Sequence, residues 1–159
     1  MGFVILPLVA VLFWFGLTMQ ASQLANAVPG AGPAGRMESL AAVSAQQAEM
    51  FGSACASTAL ASPGVVTTGM TVILPTGVAL PGGAVCMTIS YIGNGRNVYG
   101  YLPVSPGAIG IVLSDTQDNA VWYRVQSAGV AVNLATGETA SIPSTIPVGD
   151  LVDWIQTSS

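Results

Sequence analysis

Two cysteines, Cys55 and Cys86, seven carboxylates and three arginines are the residues of this chain that could do chemistry, because it contains no His and no Lys. No Ser-His or Cys-His pair can be assembled from them, and no Lys is present to act as a base. Cys55 and Cys86 stand 31 positions apart with no CxxC and no His nearby, so they form no zinc motif. They read either as one disulfide in an oxidising compartment or as two buried thiols. Among the acids, Asp115 and Asp118 share a helix face or flank a turn. Asp115-Thr116-Gln117-Asp118-Asn119 lacks the Gly and the closing Glu of a calcium loop. Gly93-Asn94-Gly95-Arg96-Asn97 lacks the lysine of a phosphate-binding loop and reads as a hairpin turn. The residues therefore predict no catalysis, no cofactor and no bound metal. Arg96 is expected to pair with an acid or to cap a carbonyl. The alternative for Arg96, with Tyr99 and Tyr101, is a contact with another subunit, since Arg and Tyr are enriched at interfaces.

The bases are Arg36, Arg96 and Arg124, and the net charge is -4, so there is no basic surface for nucleic acid. Charged residues make up 6% of the chain, far below the roughly 25% of ordinary soluble domains. So little charge suits a surface partly covered by partners, or equally a genome bias toward Ala, Gly and Val.

The elements that must position these residues begin with an uncharged apolar run, Phe3 to Leu17. Helical from Gly2 to Met19, it would span about 27 Å, close to the ~30 Å hydrocarbon core of a bilayer. Phe3, Leu12, Phe13, Trp14, Phe15 and Leu17 are the expected membrane anchors, with the aromatic residues near the far end. A retained transmembrane helix over residues 1–28 is favoured because no base precedes the run. Ala25-Asn26-Ala27 keeps open cleavage before Val28 and a secreted binding module. Residues 29–36, with Pro29, Gly30, Gly32, Pro33 and Gly35, read as a hinge. Residues 37–159 then form an α+β domain, expected in the periplasm.

Within that domain a helix is predicted from Met37 to Leu60, with Met37, Leu40, Ala41, Ala48, Phe51 and Cys55 on the core face and Glu38 in the first turn. Pro63-Gly64 ends it. Strands are expected over Val65–Leu74, Ala84–Ile92, Arg96–Leu102, Val121–Gln126 and Val130–Leu134, and Ala108–Leu113 reads as either a short helix, which is favoured, or another strand. Ile142 to Gly149 carries two prolines and cannot be a central strand. Two or three of Tyr91, Tyr99, Tyr101, Trp122 and Tyr123 should be core. The expected architecture is one helix covering an antiparallel sheet of about four or five strands.

The order of these features resembles the PilM family of small inner-membrane proteins encoded with the thin, type IVB conjugative pilus. The resemblance rests on the apolar start and on Arg36-Met37 opening a helix that carries Ala41 and Phe51. It includes Arg96-Asn97-Val98-Tyr99-Gly100, Pro106-Gly107 before an apolar stretch, Gly129 before a strand, and Ile142-Pro143 followed by Ile146-Pro147-Val148-Gly149. It implies a non-enzymatic component of pilus biogenesis with a pilin-like α+β domain. The expected partners are the inner membrane, pilins and pilus-assembly proteins, and further copies of the chain. A minor pilin or pseudopilin that enters the fibre is the rival, but the fifth position after Gly2 is Pro7 where a prepilin carries Glu.

Overall fold

Pro33, placed by sequence in a helix-breaking hinge, instead begins a helix. Proline suits the first helical position, because its φ is already helical and its missing N–H would have no partner there. The first helical bond runs from the Arg36 amide to the Gly32 carbonyl at 3.1 Å. A computed structural model describes residues 32–158, Asn94 excepted. The expected anchor over residues 1–28, with Phe3, Leu12, Phe13, Trp14, Phe15 and Leu17, lies outside these residues. Among the described residues no helix is long and apolar enough to cross a membrane.

Helix α1 (Pro33–Ala61) buries Ala41, Ala45, Ala48, Phe51, Gly52, Cys55 and Ala59. Except for Phe51 these side chains are small, so the helix backbone closes tightly on the sheet. The larger Met37 and Leu40, expected on that face, are instead 64% and 62% exposed. The small-residue stripe is the contact face because large residues there would hold helix and sheet apart. Glu38 is not in the first turn, since the helix starts earlier than expected.

The strands are β1 (Thr67–Met70), β2 (Val85–Tyr91), β3 (Gly95–Leu102), β4 (Trp122–Ser127), β5 (Val130–Asn133), β6 (Thr139–Ser141) and β7 (Leu151–Ser158). A second helix, α2 (Ala108–Asp115), follows Gly107, whose φ of 90° favours glycine. The seven strands form one antiparallel sheet in the order β1-β2-β3-β7-β4-β5-β6, two more strands than the upper expectation. β2 and β3 pair in continuous register from Val85↔Tyr101 to Tyr91↔Gly95, as the glycine turn suggests. β4 and β5 turn through Ala128-Gly129, with Gly129 at φ 81°. β1 is shorter than the expected Val65–Leu74 because its register slips between Thr67 and Met70 and pairing stops there.

β7 was not expected, and it is the middle of the sheet. It pairs with β3 along its whole length, from Leu102↔Leu151 to Gly95↔Ser158, and its other edge takes β4 at Trp122↔Asp153. Alternation along the strands divides the core. One side holds Phe51, Cys55, Cys86, Val98, Leu102, Val112, Trp122 and Leu151, the side of both helices. The other holds Met87, Tyr99, Tyr101, Val125, Ala131 and Val152, covered in part by Ile142 and Ile146. These isoleucines belong to the proline-containing segment, which forms turns and no strand. Leu40–Ser159 is one compact unit.

Candidate interaction surface

The two thiols are joined. Cys55 on α1 and Cys86 on β2 form a disulfide with Cα atoms 5.5 Å apart. The bond sits where helix and sheet are in close contact. A Cβ added at Gly100 would stand 3.2 Å from Cys55 Cβ and 3.6 Å from the Gly52 Cα. Both thiols are consumed by this link. Among the described residues no group of three His, Cys, Asp or Glu could hold a metal ion.

Arg96 is 3% exposed. It lies on the helix side of β3 and donates from Nη1 to the carbonyls of Ser62 and Val65, and from Nη2 to that of Ala59, at 2.8, 3.0 and 2.9 Å. Two of these carbonyls close the C-terminal end of α1, where backbone acceptors lack helical partners. Of the two sequence readings of the capping alternative, the carbonyl cap is the one observed. Tyr99 and Tyr101 are buried on the opposite side. Tyr99 stacks on Trp154 with ring centres 5.5 Å apart, Tyr123 tilts against the same indole at 5.1 Å, and Trp154 Nε1 donates to Asn97 Oδ1 at 3.1 Å. Burial pushes the Tyr99 hydroxyl up to about 12, with Tyr123 adding to the effect. Arg96, Tyr99 and Tyr101 therefore act inside the domain, where none offers an exposed contact. Of the five aromatic residues of which two or three were expected in the core, Tyr99, Tyr101 and Trp122 are buried, Tyr123 is half-buried and Tyr91 is exposed.

Two carboxylates stand out that sequence reasoning missed. Asp153 lies in β7 beneath α1 and is 8% exposed. A Cβ at residue 52 would come within 2.7 Å of its Oδ2, so Gly52 is what admits this side chain. Its Oδ1 is shielded from solvent with no hydrogen-bond partner among the described residues. Desolvation pushes its pKa from 3.8 up to about 6. The second is Glu49 on α1, whose Oε1 is likewise shielded and unpartnered. Burial, and secondarily the negative charge of Asp115, push its carboxyl upward.

Glu49 borders an open hollow. With Met50, Ser53, Ala54, Ser57, Ile73, Leu74 and Pro75 it encloses about 660 Å³ between α1 and the segment after β1. Ile73, 84% exposed, forms one rim. The second hollow, about 420 Å³, is lined by Arg124, Val125, Gln126, Val132, Leu134, Val148 and Gly149. A third apolar area gathers at the end of the sheet next to the α1 C-terminus, where Leu60, Val65, Val66, Tyr91 and Ile92 are all exposed. Each hollow carries one charged residue, and the area at the sheet end carries none. The signal for the Glu49 hollow was present in sequence as a lone acid in the charge-free stretch from Ser39 to Ala61. What that acid would face was not.

No protein-family model matches this chain, and neither a curated protein nor a solved structure matches it.

Proposed function

We propose that this chain is a non-enzymatic structural or assembly component of a type IV, conjugative thin pilus or a related secretion machine. In this reading residues 1–28 hold it in the bacterial inner membrane as a single pass, and the α+β domain stands in the periplasm. The observation that carries the reading is the Cys55–Cys86 disulfide in a domain that follows an uncharged apolar run. Disulfides persist in oxidising compartments such as the periplasm and are rare in the bacterial cytosol. The order of sequence features shared with the PilM family supplies the pilus context. The exposed apolar areas beside α1 and at the sheet end supply surfaces for pilins and assembly proteins.

The test is fractionation of the producing bacterium together with deletion of the gene. The protein should stay with alkaline-washed membranes, its cysteines should resist maleimide until reduced, and deletion should abolish pilus assembly. Release by alkaline carbonate, or unchanged pili in the deletion strain, would refute the reading. Entry into the fibre as a minor pilin is the second reading, favoured by the long helix packed on an antiparallel sheet. Finding the chain in sheared pili selects it. A mature protein starting at Val28 selects the secreted binding module instead.

A further inference from the structure

The two hollows carry opposite charge on walls that are otherwise uncharged. The larger one has Glu49, with Asp115 close enough to bear on it electrostatically, beside Met50 and Ile73. The smaller one has Arg124, exposed, beside Val132, Leu134 and Val148. Arg96 is spent within the domain, so Arg124 is the exposed cation of residues 40–158. One Glu49 oxygen is out of contact with solvent and bonded to nothing among the described residues. A carboxylate so placed gains from an approaching cation, because its own shielded oxygen is left uncompensated.

We propose that a second copy of this chain packs over the Glu49 hollow, its exposed Arg124 side chain reaching into it. The two surfaces share no residue, so the contact is head-to-tail. Each copy keeps one free half, and association continues into a ring or an open filament. The raised pKa of Glu49 is consistent with an acid awaiting a cationic partner. The proposal goes beyond the pilus reading and does not rest on it, because both surfaces belong to residues 40–158.

The experiment is sedimentation of the full chain in nonionic detergent, as wild type and as Glu49→Arg and Arg124→Glu. The wild type should form species larger than a dimer that dissociate as salt is raised. Each variant alone sets like charges against each other and should associate at least about tenfold more weakly. Mixing the two variants restores an opposite pair at every contact, so the mixture should regain the large species. Association through the apolar residues 3–17 would ignore these changes, and equal behaviour of wild type and single variants overturns the proposal. A monomeric wild type also overturns it and leaves the hollow to a basic partner protein. Melting by circular dichroism accompanies each sample. If Glu49→Arg does not fold, Glu49→Gln and Arg124→Gln decide: each should weaken association about threefold, and no change in either overturns the assignment.

Discussion

The carboxyl of Asp153 lies under α1 with one oxygen shielded and unpartnered, and this costs the folded state free energy whenever the group is charged. Its folded pKa of about 6 exceeds the unfolded value of 3.8. The folded state therefore holds the proton more tightly, and stability is greatest below the unfolded pKa. It falls as pH rises through the interval between 3.8 and about 6, and is then level. A shift of this size corresponds to about 3 kcal/mol. Asp150 and Glu49, also raised by burial, act in the same direction. Thermal melts should show the midpoint dropping between pH 4 and pH 6. Asp153→Asn should raise the midpoint at neutral pH and flatten that dependence; an unaltered profile would show that Asp153 is not the group responsible. Arg96 is a buried charge with three carbonyl acceptors on Nη1 and Nη2, and only its Nε is left without a partner among the described residues. Arg96→Met should cost about 2 to 4 kcal/mol in denaturant unfolding, and Arg96→Lys should recover only part, since an ammonium cannot reproduce the planar fork.

At the scale of elements, the decisive contact is α1 on the sheet. Ala41, Ala45, Ala48, Gly52 and Ala59 bring the backbones together but bury little apolar area each. The disulfide between α1 and β2 compensates by closing a 31-residue separation. Loop-closure entropy puts its contribution at about 3 to 4 kcal/mol. Reduction, or replacement of both cysteines by alanine, should lower the melting temperature accordingly. Hydrogen exchange should then quicken first in α1, because β2 remains paired with β3 along its length. Faster exchange in β3 before α1 would place the weak point elsewhere.

For the whole molecule, β7 is the keystone. The chain builds the β2–β3 hairpin and the β4–β5–β6 meander locally, then inserts its C-terminal strand between them. Without β7 the two halves share no strand pairing, and Asp153, Leu151 and Val152 leave both cores open. A chain ended after Gly149 should lose cooperative unfolding in thermal and denaturant melts. A cooperative transition in that truncation would show that the halves stand by themselves. The β3–β7 pairing joins residues far apart in sequence, so folding should be slow for a domain of this size.

What the sequence by itself determined is what short-range chemistry controls. Gly93 and Gly129 set the two hairpins, Pro63-Gly64 stops α1, Gly107 precedes α2, and the lack of His and Lys limits the chemistry available. What only the tertiary structure decided is which strand is central and which helix face is covered. The place of Leu151 to Ser158 comes from pairing partners distant in sequence, Gly95–Leu102 on one edge and Trp122–Arg124 on the other. The contact face of α1 is written mostly in alanines and a glycine, which carry weak hydrophobic periodicity, so Ala41, Ala48, Phe51 and Cys55 are buried as expected while the larger Met37 and Leu40, assigned to the same face, are exposed. Glu49 and Arg124 acquire meaning only when a loop or a neighbouring strand encloses them. Local propensity fixes elements over a few residues, whereas burial and strand order are set by the collective closure of the whole chain.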